Sequence, residues 1–272
     1  MLWSLVSLSA AGQPAVQSIA GVHQPMDTLL RLGDHDLHFV LYRGTLPATI
    51  LLEAGGAADL TSWGDVPKRL ADETGATVVA YDRAGLGGSG PGPTDSRPED
   101  EMRDLQSALA WLKVPNWTIV VAHSYGAMLA LLNAGRYPKR VAGLVLVDPM
   151  NTRFIEATGD FIFTTVPAIT QPSNERERTV VRMVATFPEL IREVSPLEPG
   201  LRQPMVVITA GKPWWGREDI DRAWRRSHEA IAAAGTQRQL VVAEGSDHGV
   251  PEDRPEVIVT SVQRLLKLAV VR

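Results

Sequence analysis

The feature that most constrains the fold is a series of short apolar segments, most of which are nearly continuous and stop at Gly, Asp or His. Such segments predict the strands of a mainly parallel sheet that is covered on both faces. The period-two alternation of the first segment predicts antiparallel pairing at the start of the sheet. The predicted strands are DLHFVLY (36–42), TILLEAG (49–55), TVVAYD (77–82), TIVVAH (118–123), VAGLVLVD (141–148), PMVVITAG (204–211) and QLVVAEG (239–245).

Helix-like segments separate these strands at residues 63–74, 98–112, 125–136, 218–234 and 254–269. Strands that alternate with helices are typical of α/β proteins, in which helices pack on both faces of one sheet. The sequence therefore predicts an α/β fold with a mostly parallel central sheet and helices on both faces.

Residues 149–203 interrupt this alternation. They contain FIFTTV and the amphipathic stretch ERERTVVRMVATFPELIREV, but no strong strand. A structureless connection of this length is uncommon in a compact domain, so we expect a helical lid inserted over the sheet edge where α/β sheets bind ligands. The predicted organisation is an N-terminal extension (residues 1–27), a core (residues 28–148 and 204–272) and the lid (residues 149–203).

Composition excludes several classes of function. The 272 residues include 27 Lys and Arg against 31 Asp and Glu, so no basic surface for nucleic acid is expected. The absence of cysteine excludes thiolate nucleophiles and thiolate metal sites. No segment has the roughly 18 uninterrupted apolar residues of a membrane-spanning helix. The start, MLWSLVSLSAAGQPA, partly resembles a signal peptide without its positive charge, so a degenerate export signal is one interpretation, and a cytoplasmic location is favoured over secretion.

The segment VVAHSYGAM (120–128) contains the candidate nucleophile. The nucleophile-elbow pattern G-x-S-x-G needs small residues two positions to each side of the serine, because the strand-to-helix turn is tight. Ala122 and Gly126 take those positions around Ser124, with a predicted strand before it and a helical pattern after it. We expect Ser124 to act as the nucleophile, provided that a base activates its hydroxyl. The alternative is a serine that only packs in a turn.

His248 is the candidate general base. It lies in EGSDHGVPED, a loop between the last predicted strand and the last predicted helix, from which it can reach over the strand ends. Only two of the six histidines follow Ser124, as the order Ser, acid, His requires. The other, His228, lies in the charged segment RAWRRSHEA and is expected to be a solvent-exposed surface histidine. His123, next to Ser124, is expected to point to the other face of the sheet.

Asp148 is the candidate acid. It ends the predicted strand LVLVD, which neighbours the strand of Ser124, so its carboxylate is expected at the same sheet edge. Its role would be to hold one tautomer of the imidazole and to stabilise the imidazolium. The alternative is Asp219, which follows PMVVITAG; however, Glu218 and Asp219 also fit the acidic first turn of a helix.

An oxyanion hole needs two backbone N–H donors directed at the developing charge. Tyr125, directly after the candidate nucleophile, is one candidate. Gly56, in the loop EAGGA (53–57), is the other, because glycine lets the backbone approach a substrate closely. A simple tight turn at this loop is an alternative interpretation that is compatible with the first.

The series LLEAGG, YDRAGLGGSG, AHSYGAM, LVLVDP and GSDHG, in this order, resembles the α/β-hydrolase superfamily over residues 28–270. The likeness is greatest to small lidded serine hydrolases with EAG in the oxyanion motif. It implies an α/β-hydrolase fold with a helical lid insertion. It also implies Ser124 as nucleophile, Asp148 as acid, His248 as base, and Gly56 and Tyr125 as oxyanion donors. A structural turn beside the site is implied for Asp82, Arg83, Gly85, Gly87 and Ser89.

Two positions depart from the family pattern. Ala122 replaces the usual glycine of the elbow, and Ala54 stands where histidine is commoner in the oxyanion motif. Neither change removes a catalytic group, although the second raises the question of how the oxyanion loop is held. The serine in the elbow disfavours the relatives with an aspartate nucleophile, namely epoxide hydrolases and haloalkane dehalogenases.

The resulting prediction is a serine hydrolase acting on a small-molecule carboxylic ester, lactone or related acyl substrate, with no cofactor and no metal. Two alternatives stay open: a cofactor-free lyase or perhydrolase with the same triad, and a non-catalytic protein that only binds a small ligand. A nicotinamide oxidoreductase is disfavoured. The segment from Gly85 to Gly90 matches G-x-G-x-x-G after a strand, but Pro91 and Pro93 follow where the pattern requires a helix.

Aromatic residues suggest where the substrate lies. Some follow the strand PMVVITAG, whose end faces the site, and others belong to the lid. We expect them to form an apolar pocket for a small uncharged substrate, with a position in the core as the alternative for each. The candidate pocket residues are Trp214, Trp215, Phe154 and Phe161.

Overall fold

The computed structural model describes residues 24–165 and 169–270. The export-signal interpretation concerns residues that lie outside this part. The strands are β1 (Met26–Leu32), β2 (His35–Tyr42), β3 (Thr49–Glu53), β4 (Thr77–Tyr81), β5 (Thr118–His123), β6 (Val141–Val147), β7 (Met205–Ala210) and β8 (Arg238–Ala243). In the described part of the chain they form one eight-stranded sheet in the order β1-β2-β4-β3-β5-β6-β7-β8.

The pairing of the strands confirms the predicted α/β sheet. β2 pairs antiparallel with both β1 and β4, while all the other neighbours pair in parallel. Strand β1 was not predicted. Most of its side chains are exposed or only half-buried, because it is an edge strand, so it lacks the apolar run that identifies the inner strands.

Helices cover both faces of this sheet. They are α1 (Val66–Thr74), α2 (Pro98–Trp111), α3 (Gly126–Arg136), α4 (Thr152–Thr158), α5 (Phe161–Thr165), α6 (Glu175–Val194), α7 (Glu218–Ala233), α8 (Val250–Asp253) and α9 (Pro255–Val270). On β5, Val120 and Ala122 face one buried cluster with α2, α3, α6 and α7, and Ile119 and Val121 face a second cluster with α1 and α9. This is why the inner strands need apolar residues at every position rather than at alternate ones.

The interval between β6 and β7 is helical, as expected, and contains α4, α5 and α6. The side chains of Thr179 and Arg182 on α6 donate hydrogen bonds of 3.4 and 3.1 Å to the carbonyl of Ala84, in the turn after β4. A Cβ on Gly85 would lie 2.1 Å from Thr179 Oγ1. Glycine at this position therefore allows α6 to pack closely against the turn.

None of the helices in the described ranges combines the length and hydrophobicity needed to cross a lipid bilayer.

Candidate active site

Ser124 lies on a sharp turn between β5 and α3. Its φ of 53° is in the left-handed region, which costs a non-glycine residue about 1–3 kcal/mol and persists only where the surrounding structure holds the residue there. Its N–H donates a hydrogen bond of 3.0 Å to the carbonyl of Val147, and its own carbonyl accepts bonds of 3.0 Å from the N–H groups of Ala127 and Met150. These three backbone bonds anchor the strained residue at the carboxyl edge of the sheet.

Gly126 shows why this turn needs a small residue after the serine. A Cβ at this position would lie 2.5 Å from the carbonyl oxygen of Ala54 and 2.6 Å from that of Glu53. Real Cβ atoms essentially never approach backbone so closely. The first turn of α3 therefore packs directly against the end of β3, which brings the segment after β3 to the side of Ser124.

The structure brings the three predicted triad residues together. His248 Nε2 lies 2.9 Å from Ser124 Oγ, and His248 Nδ1 lies 2.7 Å from Asp148 Oδ2. An ionised carboxylate only accepts hydrogen bonds, so the Nδ1–H of His248 donates to Asp148. In the neutral ring Nε2 is then unprotonated and accepts the hydroxyl hydrogen of Ser124. This is the arrangement in which the imidazole can take the proton of an attacking serine.

Asp148 is fully buried and directed by the chain around it. Its Oδ1 accepts a hydrogen bond of 2.9 Å from the N–H of Ala210 at the end of β7, which leaves Oδ2 facing His248. Burial alone would raise the pKa of this carboxyl, but the hydrogen bond from His248 and the interaction with His228 hold the pKa below its usual value. The acid is therefore ionised at neutral pH.

The alternative acid lies elsewhere. Asp219 is exposed on the first turn of α7, where it pairs with Arg217 at 2.7 Å. Its neighbour Glu218 pairs with Arg222, one turn further along α7. Both fit the structural interpretation of acidic residues at a helix start.

The expectation that His228 is a surface residue is wrong. Its side chain is fully buried, with Nδ1 2.9 Å from Thr209 Oγ1 and Nε2 2.9 Å from the carbonyl of Pro149. The carbonyl only accepts, so Nε2 carries the hydrogen of the neutral ring, and burial lowers the pKa of this histidine. A sequence signal was present, because Trp224 and Ile231 lie at helical spacing around His228 and share its buried face.

His123 has a contact that the sequence did not indicate. Its ring packs against Trp63, at 6.4 Å between centroids, and its Nε2 donates a hydrogen bond of 2.9 Å to the carbonyl of His248. Burial, together with the nearby ring of His248, lowers the pKa of His123 to about 4. A neutral His123 thus holds the backbone of the loop that carries the candidate base.

The four predicted pocket residues form one aromatic cluster beside His248. The ring of Trp214 stacks on the imidazole of His248 at 4.0 Å and 18°, and Trp215 stacks on Trp214 at 4.0 Å. Phe154 and Phe161 both contact Trp215, and Phe154 is fully buried. Trp214 therefore restrains the plane of the imidazole from one side.

A cavity of about 320 Å³ borders Ser124 and His248. Its other walls include residues 55–58 after β3, Ser62, His123 and Arg176 on α6. None of the four aromatic residues above is among the described residues that line it. A larger groove of about 750 Å³ lies at the amino ends of β6 and β7 and is not bordered by Ser124, Asp148 or His248.

The two candidate oxyanion donors flank the serine. The segment after β3 turns at Gly56, closed by a hydrogen bond of 3.3 Å from the N–H of Ala58 to the carbonyl of Gly55. Tyr125 precedes the first residue of α3. Within the described part of the chain, no acceptor is found for the backbone N–H of Gly56 or of Tyr125.

The turn after β4 is held by a buried carboxylate. Asp82 accepts hydrogen bonds from the N–H of Leu60 at 2.7 Å and of Gly88 at 2.8 Å, and from His38 Nδ1 at 2.7 Å. No helix begins between Gly90 and α2, so the G-x-G-x-x-G segment lacks the helix that a dinucleotide would need. The described side chains include no group of three or more metal-ligating residues.

Comparisons with known proteins agree with this architecture. A family model described as the alpha/beta hydrolase family matches residues 50–261. An uncharacterized protein, YqjL, of Bacillus subtilis (strain 168) is 27% identical over 218 residues, which cover 79% of this chain and 82% of that protein.

Two solved structures are similar in fold. A probable hydrolytic enzyme from Pseudomonas aeruginosa PAO1 is 18% identical with a TM-score of 0.65, and the match covers 90% of this chain and 94% of that chain. A haloalkane dehalogenase loop variant from Bradyrhizobium elkanii is 14% identical with a TM-score of 0.68, covering 92% and 99%. Since the family model spans most of the sheet and the whole candidate site, the chain belongs to the alpha/beta hydrolase family.

Proposed function

We propose that the protein is a serine hydrolase that cleaves a small carboxylic ester, lactone or related acyl substrate through an acyl-enzyme intermediate. The observation that carries the proposal is the continuous hydrogen-bond chain from Ser124 Oγ through His248 to Asp148, with distances of 2.9 and 2.7 Å. Ser124 also lies on a strained turn and borders a cavity, and a nucleophilic serine needs such an exposed position to reach a substrate.

The first half of the reaction forms the acyl-enzyme. His248 Nε2 takes the hydroxyl proton as Ser124 Oγ bonds to the substrate carbonyl carbon, and the carbonyl π electrons move to the oxygen. The N–H groups of Gly56 and Tyr125 stabilise this oxyanion. As the carbonyl re-forms, the bond to the alcohol oxygen breaks, and the imidazolium gives its proton to that oxygen.

The second half releases the acid. A water molecule gives a proton to His248 Nε2 and attacks the acyl carbon, and the resulting oxyanion occupies the same two donors. The intermediate collapses with Ser124 Oγ as the leaving group, which takes back the proton. Asp148 keeps its negative charge throughout and stabilises each imidazolium, because its carboxylate lies 2.7 Å from His248 Nδ1.

We also propose that the insertion between β6 and β7 acts as a lid. Its helix α6 is tied to the turn after β4 by Thr179 and Arg182, and it supplies Arg176 to the wall of the cavity. The cavity volume of about 320 Å³ is at the lower end of the range for small-molecule sites, which favours a compact substrate.

The test is labelling of the purified protein with a fluorophosphonate, followed by mass spectrometry of the modified peptide. We expect modification at Ser124 and its loss in Ser124→Ala and His248→Ala. Ser62→Ala is a matched control, because Ser62 lines the same cavity but its hydroxyl donates to the carbonyl of Asp59 rather than to a histidine. It should label like the wild type.

The labelled protein would then be assayed with short-chain p-nitrophenyl esters, thioesters and lactones. Hydrolysis that is lost in Ser124→Ala supports the proposal. A folded wild-type protein that is neither labelled nor active would contradict it, and labelling without turnover would favour a protein that only binds its ligand.

A further inference from the structure

The oxyanion loop, residues 54–56, is attached to one buried cation. Arg83, 5% exposed, follows β4, and its Nη1 donates to Glu53 Oε1 at 2.8 Å and to the carbonyl of Ala54 at 2.7 Å. Its Nη2 donates to the carbonyl of Gly55 at 2.6 Å and also to that of Gly56. Three successive carbonyls of the loop therefore point at one guanidinium.

The sheet order makes this contact possible. β3 lies between β4 and β5, so the end of β3 is flanked by the turn after β4, which contains Arg83, on one side and by the elbow after β5 on the other. Arg83 thus approaches the loop from one side and Ser124 from the other. The guanidinium of Arg83 also lies 5.6 Å from the centre of the ring of Tyr125, the residue after Ser124.

The contacts of the loop carbonyls with Arg83 also determine which way the N–H groups of the loop point. In a trans peptide the carbonyl of one residue and the N–H of the next point in opposite directions. No cis peptide is found among the described residues. Because the carbonyl of Gly55 is bound to Arg83, the N–H of Gly56 must point away from Arg83, and therefore away from the β4 side of the loop.

The positive charge of Arg83 also makes the N–H of Gly56 a stronger hydrogen-bond donor. A hydrogen bond to the carbonyl oxygen polarises the peptide, and in a buried setting this strengthens the N–H as a donor. Glu53, 2% exposed, balances the guanidinium and accepts a further hydrogen bond from the hydroxyl of Tyr81, so the charge can stay buried. A planar fork with several donors is needed for this set of acceptors, and only arginine has one.

We propose that Arg83 is a positioning residue of the oxyanion hole, which holds the Gly55–Gly56 peptide so that the N–H of Gly56 faces the oxygen of the substrate acyl group. This inference rests on the proposed function. It also explains how a loop with Ala54 in place of the commoner histidine is held.

The test compares Arg83→Lys and Arg83→Met with Tyr81→Phe, all checked for folding by circular dichroism. Tyr81→Phe is the matched control, since it removes a hydrogen bond from Glu53 in the same buried cluster but leaves every contact of Arg83. The readout is the rate of fluorophosphonate labelling at Ser124 across pH, because attack on phosphorus also places negative charge on an oxygen.

We expect the labelling rate of both Arg83 variants to fall by roughly 100-fold, as for loss of one oxyanion donor, with the pH midpoint unchanged. A disturbed triad would move the midpoint as well. Tyr81→Phe should label at nearly the wild-type rate. Folded Arg83 variants that label as fast as the wild type would overturn the proposal, and so would an equal loss in Tyr81→Phe.

Two further measurements distinguish failure of the Arg83 proposal from failure of the proposed function and from misfolding of the variants. If wild-type Ser124 is not labelled, the proposed function fails, but hydrogen exchange over residues 53–58 still reports the role of Arg83: faster exchange in Arg83→Met supports it and unchanged exchange overturns it. If both Arg83 variants fail to fold, NMR of the wild type decides. The Gly56 amide proton and the Arg83 guanidinium protons should shift together on adduct formation, and a shift of the amide alone overturns the proposal.

Discussion

Replacement of Asp148 by Asn is expected to invert the hydrogen-bond chain of the site while keeping its shape. Asp148 Oδ1 accepts the N–H of Ala210 at 2.9 Å, and that donor requires an oxygen. In Asp148→Asn the amide oxygen must therefore take this position, and the NH₂ group must face His248. An NH₂ group only donates, so it would force His248 Nδ1 to be unprotonated and place the ring hydrogen on Nε2.

The expected loss of turnover in Asp148→Asn follows from this change of tautomer. With its hydrogen on Nε2, the imidazole donates to Ser124 Oγ, 2.9 Å away, and has no lone pair there to take the serine proton. We expect turnover to fall about 10⁴-fold, the size of effect known for this substitution in a serine protease. This corresponds to about 5.4 kcal/mol of lost transition-state stabilisation. Folding should be little affected, because the side chain keeps its volume and its bond to Ala210.

The assay is the labelling rate at Ser124 or, once a substrate is found, kcat/KM. Asp219→Asn is the control, since Asp219 is an exposed carboxylate paired with Arg217. A folded Asp148→Asn protein within tenfold of the wild type would refute this account of the tautomer. A large loss in Asp219→Asn instead would refute the assignment of the acid.

Two further predictions concern stability. Gly126→Ala would place a Cβ 2.5 Å from the carbonyl oxygen of Ala54, and we expect this overpacking to lower the free energy of unfolding by about 2 kcal/mol. The melting temperature in a thermal scan should then fall by roughly 4–8 °C. An unchanged melting temperature would contradict the close contact. The pKa of His123 is lowered from 6.5 to about 4, so the unfolded chain binds a proton that the folded chain excludes, and stability should fall as the pH drops from 6.5 towards 4. The urea midpoint of unfolding should fall less steeply with decreasing pH in His123→Gln than in the wild type. Some pH dependence should remain in the variant, because the pKa of buried His228 is also lowered. An equally steep fall in the wild type and the variant would contradict the assignment to His123.

Local patterns were sufficient for the parts of the molecule that depend on neighbours in the chain. Apolar runs predicted the inner strands because both faces of a parallel sheet are covered, and β1 was missed because Asp27, Thr28 and Arg31 interrupt its apolar residues. The pattern around Ser124 predicted a strand, a turn and a helix, and the structure contains all three. The prediction for His228 was wrong because its neighbours in the chain are charged, whereas the helical spacing of Trp224 and Ile231 places it on the buried face of α7.

Only the tertiary structure decided which distant side chains meet. Asp148 and Asp219 were both possible partners for His248, and the choice depends on the loop after β8 crossing the end of β6. The family resemblance placed Arg83 only in a structural turn beside the site, and its contacts with residues 53–56 could not be predicted because α1 and β4 lie between them in the chain. The physical reason is that hydrophobic periodicity is a property of each segment alone. The order of the strands, which places β3 between β4 and β5, comes from packing all segments together.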